Sequence, residues 1–506
     1  MDTKTMSTET RAASGTYAQI LKATAVIGGS SIVNIGFSII RNKAMAILLG
    51  PGGVGLVGLY TSISDLTQTL AGLGIQASGV RQIAEAVGTE DQERIARTTT
   101  VLRRVSFILG LGGALLLLAL CLPVSNFTFG NYTHAAAVAL LSAVVFFRLI
   151  SFGQIALVQG MRRIGDLARI NMLSAMFSTL IAVPMVYFFG EKGIVPALVA
   201  MAAASIATSW WYSRKIHIAP PSMSMREVAG EARALLGLGV VFMASGFLTV
   251  GAAYAVRIIV LREGGVVAAG LYQAAWALGG LYASFILQAM GTDFYPRLTA
   301  VATNNEECNR LVNEQAQISI LLAGPGLIAT LSIAPFLMTL FYSSEFHAAA
   351  DLLRWICLGM MLRIVAWPMG FIVLAKGAQK IFFWTEVAAT LVHVGLAWLL
   401  VPYVGPVGSG MAFFGLYVWH SLLIYVLVRK VSGFRWSASN IRLGLFFLPA
   451  TGLVFGGFMM LPGGPATAIG LAVTLVCGLY SLRTLAQLLP MDWVPSSIKS
   501  WLPKPA

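Results

Sequence analysis

Long apolar runs separated by short polar segments occupy nearly the whole chain. A run of about 20 apolar residues is long enough to cross a bilayer as an α-helix. The first run follows a polar start and has no small-residue cleavage site, so it is interpreted as a retained span rather than a signal peptide. The pattern predicts fourteen transmembrane helices, at 23–49, 54–78, 105–124, 135–157, 168–189, 193–212, 235–261, 267–291, 315–341, 349–374, 381–402, 406–428, 443–461 and 465–484.

The lysines and arginines predict how these helices are oriented. With a cytoplasmic N-terminus, only Lys192 and Arg262 fall in outer loops, and six basic residues fall within spans. The rest of the 34 lysines and arginines lie in inner segments. Because the number of spans is even, both termini are expected to be cytoplasmic.

Composition agrees with a membrane protein. The 506 residues are 57% hydrophobic and 11% charged, whereas soluble proteins carry about 25% charged residues. Basic inner loops facing anionic lipids account for the net charge of +14 without a nucleic-acid partner. The cysteines and histidines are scattered, so no metal site is predicted. The sequence contains no phosphate-binding loop of the kind that ATP-driven proteins use, so no cofactor is expected.

Two inner segments have membrane-surface character. In GVRQIAEAVGTEDQERIARTTTVLRR, Val80, Ile83 and Val87 follow helical spacing, so this stretch is expected to lie along the membrane surface. The C-terminal tail combines Trp493 and Trp501 with a lysine, a composition typical of interfacial anchors.

A short string is repeated far along the chain. GGVGLVGLY, ending at Tyr60, and GGVVAAGLY, ending at Tyr272, share the frame G-G-V-x-x-x-G-L-Y at a step of 212 residues. The same step brings Gln76 onto Gln288. Spans 1–6 and 7–12 are therefore predicted to be two copies of one six-helix unit, and because six is even the copies form a parallel repeat.

The predicted fold is an all-α polytopic membrane protein with two parallel-related six-helix lobes and an extra C-terminal helix pair. Its segments are a cytoplasmic N-terminus (1–22), an N-lobe (23–215), a cytoplasmic linker (216–234), a C-lobe (235–430), the extra pair (431–486) and an interfacial cytoplasmic tail (487–506). The repeated string joins spans 1 and 2, and spans 7 and 8, at the outer face. Its glycines permit a tight turn; the alternative is that the two turns are matching parts of an outer gate.

Charged residues inside the spans are the candidates for function. Each costs roughly 2.5–3.5 kcal/mol on insertion scales, so it is expected to face a cavity or a partner. Arg354 is expected to pair with Asp351 at i, i+3. The other basic residues are predicted to line a central cationic cavity: Arg41, Lys43, Arg148, Arg257 and Arg363.

The repeat strengthens this prediction, because the 212-residue step carries Arg148 to position 360, close to Arg363. The alternative is ion pairing that fixes helix packing, in which Asp65 satisfies Arg41 or Lys43. Asp65 and Glu386 could instead couple transport to H⁺ or Na⁺. His393 and His420 are interpreted as satisfied interior polar groups.

Arginine binds phosphate through its two-pronged guanidinium, so the predicted cavity favours an anion. For a lipid-linked anion, the apolar tail could stay in the bilayer while the head group crosses. A diphosphate moved outward would also gain free energy from the membrane potential. Two equivalent bundles can expose such a site to either side in turn, by alternating access.

Several strings resemble a known family. IIRNKAMAILLGPGGVGLVGLY, LVQGMRRIGDLARINMLSA and VLAKGAQKIFFWTEV are similar to the O-antigen (Wzx-type) flippases, polysaccharide exporters of the multidrug/oligosaccharidyl-lipid/polysaccharide superfamily. The resemblance implies two six-helix lobes around a cationic cavity. It also implies translocation of undecaprenyl-diphosphate-linked oligosaccharide from the cytoplasmic to the periplasmic leaflet of the bacterial inner membrane, for O-antigen (lipopolysaccharide) or related polysaccharide biosynthesis. A polysaccharide polymerase and a chain-length regulator are the implied partners of a monomeric flippase.

Three alternatives stay open. A lipid II flippase for peptidoglycan precursors would also use a cationic cavity for its diphosphate. The extra helix pair is similar to the fourteen-helix arrangement of those proteins. A cation-coupled multidrug exporter of the same superfamily would favour acidic and aromatic cavities. A membrane enzyme such as a glycosyltransferase would need catalytic carboxylates or histidines in its loops, and the outer loops here are short and poor in acids, so no enzyme activity is predicted.

Overall fold

A computed structural model describes residues 3–89, 91–218, 221, 223–289 and 294–488. Side chains are described from Val33 onward, except for 225, 238, 241, 282–289 and 296. Over this part of the chain the backbone forms α-helices and short turns, and no strand occurs in it. The prediction of an all-α fold is confirmed.

The helices follow one another with short connections. They are α1 (Thr3–Gly72), α2 (Ile75–Gly88), α3 (Gln92–Ala119), α4 (Cys121–Phe129), α5 (Ala135–Gly160), α6 (Ile164–Phe189), α7 (Ile194–Ser213), α8 (Met225–Ala289), α9 (Tyr295–Ala300), α10 (Asn305–Ser332), α11 (Ala334–Phe341), α12 (Ala350–Ala375), α13 (Gln379–Val404), α14 (Val407–Ser432), α15 (Ala438–Met460) and α16 (Gly463–Leu488). Short 3-10 helices at Gly190–Gly193 and Ser344–Ala349 precede α7 and α12.

Eleven helical stretches among the described residues are long and apolar enough to cross a membrane. Three of them, Val33–Gly72, Ile164–Ser213 and Phe242–Leu281, are 40, 50 and 40 residues long, about twice the length that one crossing needs. The chain is therefore a multi-pass membrane protein. The predicted total of fourteen crossings and the cytoplasmic placement of both termini stay predictions.

The chain divides into two compact units, Met1–Tyr254 and Ala255–Ala506, called unit 1 and unit 2 below. The division falls inside helix α8. The lobe, linker and terminal boundaries expected from the sequence stay predictions, and the expected interfacial tail lies, from residue 489 onward, outside the described residues.

The repeated glycine strings mark a kink in each of two long helices. Helix α1 bends at Gly50 (φ 62°, ψ −171°), and helix α8 bends at Gly265 (φ 76°, ψ −177°). This backbone conformation is essentially restricted to glycine. In α8 the kink glycine lies within the repeated string, whereas in α1 it lies two residues before the string, so each string stands at the junction of two helical arms.

Small residues allow the two arms to meet at each kink. In α1, a Cβ atom on Gly53 would overlap the side chain of Leu49; in α8, a Cβ atom on Gly264 would overlap Ala268. In both helices the contact joins the residue before the kink glycine to the residue three positions after it. The two kinks are built alike, except that the glycine of this contact follows the kink in α1 and precedes it in α8.

The structural repeat has a step of 215 residues in its best-matched helices, not 212. Helices α5 and α12 both have 26 residues, from Ala135 and from Ala350, and α6 and α13 match at the same step. The connecting turns agree too, with positive φ at Arg162 (54°) and at Gly377 (69°). A shift of three residues is close to one helical turn, so it leaves the apolar face nearly unchanged and is hard to detect from hydrophobic pattern.

The amphipathic inner segment, 79–104, packs apolar positions against unit 1, and its expected placement along the membrane surface stays a prediction. The segment forms most of α2 and the first turns of α3, and α2 starts after the positive-φ residues Leu73 and Gly74. Ile83 is fully buried, and Val80 and Val87 pack against the same cluster, which includes Leu102. Its apolar face is therefore covered by unit 1 itself.

The last two helices pack against α10 within unit 2. A Cβ atom on Gly324 of α10 would overlap the ring of Phe447 in α15, and one on Gly470 of α16 would overlap Ser332 of α10. Glycines at these points let the helix backbones approach closely. The extra helix pair is thus closely packed against the rest of unit 2.

Candidate functional site

Arg148 forms an ion pair within a membrane-spanning segment of unit 1. Its Nη1 atom donates to Oδ1 of Asp65 at 2.5 Å and lies 3.4 Å from Oε1 of Gln68. Arg148 comes from α5, whereas Asp65 and Gln68 come from the second arm of α1. The carboxylate expected to satisfy Arg41 or Lys43 is thus held by Arg148. Both partners stay partly accessible, with 35% of the arginine side chain and 43% of the aspartate side chain exposed.

A hydroxyl-rich cavity of about 240 Å³ borders this ion pair. Helices α1, α5, α6 and α7 line it with Arg148 and with small polar residues: Thr61, Ser64, Ser151, Ser174, Ser178 and Ser205. Ser151 Oγ lies 3.0 Å from Oγ of both Ser205 and Ser209, and Ser209 donates to Gln154 at 2.6 Å. Unit 1 therefore holds a guanidinium and a connected set of hydroxyls inside its helical bundle.

In unit 2, Arg363 stands at the position that corresponds to Arg148. Each is the fourteenth residue of its 26-residue helix, α12 or α5. The Arg363 guanidinium carbon lies 4.7 Å from the ring centre of Trp367 and 5.8 Å from that of Tyr417, so two aromatic faces contact the cation. The sequence-based expectation that these two arginines correspond is confirmed, and the 215-residue step makes the match complete.

Three further titratable side chains lie near enough to Arg363 to feel its charge: Glu386, His393 and His420. Among the described residues, Nε2 of His393 and Nδ1 of His420 are buried and have no hydrogen-bond partner. The interpretation of both histidines as satisfied interior groups is therefore wrong for these atoms. They belong to a polar cluster around Arg363 in an apolar bundle.

Arg257 spans the kink of α8. Its Nε donates to Oε1 of Gln273 at 3.1 Å, which joins the two arms of the helix, and its guanidinium carbon lies 6.0 Å from the ring of Tyr272. Arg257 stands eight residues before Gly265, whereas Arg41 and Lys43 stand nine and seven residues before Gly50. All three cations occupy the same part of the arm that precedes a kink, as the sequence indicated.

Arg354 has the structural role expected of it. Its Nη1 donates to Oδ1 of Asp351 at 2.6 Å, and its guanidinium carbon stacks 3.8 Å from the ring centre of Phe458 in α15. It is almost completely buried. This arginine fixes α12 to the extra helix pair.

Sequence reasoning identified the cations but missed several of their neighbours. Gln68, Gln273, Trp367 and Tyr417 contact the arginines and were not singled out. A usable signal existed for the serines of α7, since Ser205 and Ser209 recur at a four-residue spacing in an otherwise apolar helix. The aromatic partners gave no such signal, because tryptophan and tyrosine are ordinary in membrane helices.

The fold and the placed charges define a class. Two similarly built helical units each hold a partly accessible cationic group inside membrane-spanning helices, an arrangement typical of transport proteins. Across the described residues, no cluster of three or more histidine, cysteine, aspartate or glutamate side chains could hold a metal ion.

The chain belongs to the polysaccharide biosynthesis protein family, whose sequence profile matches residues 44–351. It is similar to the lipid III flippase of Escherichia coli (strain K12), with 24% identity over 431 residues that cover 81% of this chain and 99% of that protein. The lipid III flippase of Shigella flexneri gives the same values. The family-level resemblance expected from the sequence is confirmed.

Two groups of solved structures share the fold. An inward-facing multidrug resistance MATE family transporter of the MOP superfamily superimposes with a TM-score of 0.66 at 18% identity, over 79% of this chain and 98% of that one. A lipid II flippase in an inward closed conformation gives a TM-score of 0.64 at 12% identity, over 92% of this chain and 99% of that one. The lipid II flippase therefore matches a larger part of this chain.

Proposed function

We propose that this protein is a flippase that moves an undecaprenyl-diphosphate-linked oligosaccharide from the cytoplasmic to the periplasmic leaflet of the bacterial inner membrane. The cargo is an O-antigen or related surface-polysaccharide unit, and a polymerase and a chain-length regulator act after it. The protein works as a monomer of fourteen spans by alternating access, as a transporter rather than an enzyme. Its membership of a polysaccharide biosynthesis family and its similarity to lipid III flippases support this proposal.

The observation that carries the proposal is the pair of corresponding arginines, Arg148 and Arg363. A cation in mid-membrane is costly unless it is used or neutralised. Both units keep one at the same helix position, yet only the environment of Arg148 includes a directly bonded carboxylate among the described residues. Retention of the charge in two different surroundings supports an anionic cargo.

The ion pair of unit 1 suggests how a diphosphate could be taken up and released. A phosphate group can replace the Asp65 carboxylate on Arg148 because a guanidinium binds either group through the same paired N–H donors. When the cargo leaves, Asp65 can bind Arg148 again, so the cation is never left without a partner in the membrane. In this scheme Arg41, Lys43, Arg257 and Arg363 provide further positive charge along the path, and Asp65 or Glu386 can couple transport to H⁺ or Na⁺.

Reconstitution of the purified protein tests the proposal. Vesicles loaded with undecaprenyl-diphosphate oligosaccharide on one leaflet should transfer it to the other, as detected by a membrane-impermeant glycosidase. Arg148→Gln and Arg363→Gln should each lower the transfer rate at least about tenfold, since loss of one charge-assisted phosphate contact costs about 1.5–3 kcal/mol. Arg81→Gln is the matched control, because it removes an exposed ion-paired arginine of unit 1 that lies outside the spans. Wild-type rates in both span variants would refute the proposed path.

A lipid II flippase is the second candidate, because the solved lipid II flippase superimposes on 92% of this chain. Offering lipid II and the undecaprenyl-diphosphate oligosaccharide to the same vesicles separates the two functions. Transfer of lipid II alone would assign the protein to peptidoglycan synthesis. A cation-coupled multidrug exporter is disfavoured by the excess of basic over acidic side chains in the spans.

A further inference from the structure

A second cavity lies in unit 1, between α3, α5 and α7. Its volume is about 450 Å³, within the range of roughly 300–1,000 Å³ usual for small-ligand sites. The α5 residues that line it are Ile150, Gly153 and Gln154, whereas the cavity beside Arg148 uses Ser151 and Phe152. This α3–α5–α7 cavity is therefore separate from the proposed translocation site.

Positive charge gathers at the cavity. Arg103 of α3 and Arg214, which follows α7, both line it, together with His217. In the part of the chain that the structure describes, neither arginine forms an ion pair with a carboxylate. The Arg214 guanidinium carbon is held 4.5 Å and 4.0 Å from the rings of Trp210 and Trp211. Stacking on the indoles orients the guanidinium while leaving its N–H donors available in the plane.

Two buried serines also line the cavity, and one of them offers a further donor. Ser106 and Ser213 are each only 1% exposed, and both line the cavity. Among the described residues, Oγ of Ser106 is buried and has no hydrogen-bond partner. An unpaired buried hydroxyl costs free energy, so a ligand oxygen that reaches it would be stabilised. Two guanidinium groups and an unpaired buried hydroxyl lining one cavity together suit a phosphate.

The surroundings of the cavity are those of a lipid-facing surface. Phe107 and Trp210 line it and are both 51% exposed, and each belongs to a helix that can cross the membrane. An acyl chain can cover these exposed rings, which a water-soluble anion cannot do. Tryptophan beside basic residues is also typical of the membrane interface.

We propose that the α3–α5–α7 cavity binds the phosphate of an anionic glycerophospholipid, with Arg103 and Arg214 on the head group and Phe107 and Trp210 against the acyl chains. The bound lipid fills the space between three helices of unit 1 and stabilises their packing. It is a structural ligand at the edge of the protein and not the transported cargo.

Thermal unfolding of the purified full-length protein in a neutral detergent tests this site. Short-chain phosphatidylglycerol, short-chain phosphatidylcholine and sodium phosphate are added in separate titrations. We expect phosphatidylglycerol to raise the Tm most. In Arg103→Gln/Arg214→Gln, the half-saturating concentration should increase at least about tenfold, because both charged contacts are lost. Arg103→Lys/Arg214→Lys keeps the charge and should retain most of the stabilisation.

The matched control is Arg104→Gln/Lys215→Gln, which removes two positive charges from the same two segments without touching the cavity lining. It should respond to phosphatidylglycerol like the wild type. Three results would overturn the proposal: equal stabilisation by sodium phosphate, which indicates a free-anion site; equal stabilisation by phosphatidylcholine, which removes the charge argument; or an unchanged lipid response in the glutamine double variant. Should that variant fail to fold, the single variants Arg103→Gln and Arg214→Gln replace it. A weakened phosphatidylglycerol response in both, with a wild-type response in the control, would locate the site, whereas a wild-type response in both would refute it.

Discussion

Arg148 and Asp65 form an ion pair that is both inside the membrane-spanning part of the chain and partly accessible. A purely structural pair should depend only on having opposite charges at the two positions. A phosphate-binding arginine should depend on the guanidinium at position 148 itself. Exchanging the two residues therefore separates the two roles.

The double variant Asp65→Arg/Arg148→Asp should fold but not transport. The exchanged pair again places opposite charges at the two positions, whereas each single variant places two like charges side by side and should be less stable than either the wild type or the double variant. Thermal unfolding measures the stability, and the glycosidase-based vesicle assay measures transport. Recovery of both properties in the double variant would show that the pair is structural only.

His134 is a pH-sensitive contact at the start of α5. Its Nδ1 lies 2.8 Å from the hydroxyl of Tyr60, and its ring stacks on Phe129 at 4.0 Å. Burial lowers the pKa of His134, and the nearby carboxylate of Glu191 only partly offsets that effect. In the unfolded chain the imidazole has its ordinary pKa of about 6.5 and takes up a proton first.

Stability should therefore fall as the pH drops below about 6.5, until the folded-state pKa is passed. Thermal unfolding of the purified protein between pH 7.5 and pH 5.5 should show a decrease in Tm that is smaller in His134→Gln. His217, whose side chain is exposed, provides the control as His217→Gln. An identical pH profile in wild type and His134→Gln would contradict this assignment.

At the scale of the helix, the kinks of α1 and α8 depend on one glycine each. Gly50→Ala and Gly265→Ala should each destabilise the protein by about 1–3 kcal/mol, because a Cβ atom is strained in that backbone conformation. Denaturant titration or thermal unfolding measures the loss. Gly52→Ala is the matched control, since its added Cβ would meet no atom within 4 Å and it should be neutral or slightly stabilising. Equal effects at Gly50 and Gly52 would exclude a special role for the kink.

Asn313 ties the α14–α15 connection to α10. Its Oδ1 accepts from the backbone N–H of Ser437 at 2.8 Å and from Nδ2 of Asn440 at 2.9 Å, and its Nδ2 donates to the carbonyl of Arg435 at 3.1 Å. One amide side chain thus satisfies both backbone and side-chain groups of that connection.

Asn313→Ala should lower stability by about 1–3 kcal/mol and loosen the connection, because several polar groups lose their partner at once. Trypsin cleavage after the exposed Arg435 should accelerate, as followed by mass spectrometry of the fragments. The control is Gln317→Ala on the same helix. Among the described residues the Gln317 side chain forms no hydrogen bond to this connection, so its loss should leave the cleavage rate unchanged. Wild-type cleavage in Asn313→Ala would mean that other contacts hold the connection.

For the whole molecule, the membrane potential is the proposed energy source. A cargo with about two negative charges that crosses the full field gains roughly 4–5 kcal/mol per 100 mV when it moves to the positive side. Outward transfer in reconstituted vesicles should accelerate when a potassium diffusion potential, positive on the destination side, is imposed with valinomycin. Reversing the sign should slow it. Transfer that ignores the potential and follows an imposed proton or sodium gradient would assign the energy to Asp65 or Glu386 instead.

The bounds of a helix could be predicted from the sequence only where they coincide with a change between apolar and polar residues. The predicted span 381–402 lies within α13, Gln379–Val404, because an apolar helix bounded by polar turns is visible directly. Helix α3 begins at Gln92, well before the predicted start at 105, because its first turns are polar and hydropathy cannot detect them. The predicted span 315–341 is divided between α10 and α11 at Ile333, and Pro335 in the first turn of α11 is the one residue type that could have indicated the break.

The candidate site was predictable in its charges and not in its contacts. A mid-membrane arginine is conspicuous in sequence, so Arg148 and Arg363 could be found and even matched to each other. Which acid pairs with Arg148 depends on how α1 bends at Gly50, because this bend sets the position of the second arm of α1, which carries Asp65. The pairing with Asp65 therefore required the three-dimensional fold.

The 215-residue step makes part of this protein modular. Residues 135–189 and 350–404 have matching helix lengths, matching turns at Arg162 and Gly377, and glycine after both second helices. A variant in which one of these segments replaces the other would keep the arginine at the same depth in the membrane. A replacement cut at the 212-residue step would move that charge by about 4.5 Å along the helix axis. Chimeras between related flippases, made to exchange cargo preference, should therefore be joined where the helices begin rather than where the sequences look most alike.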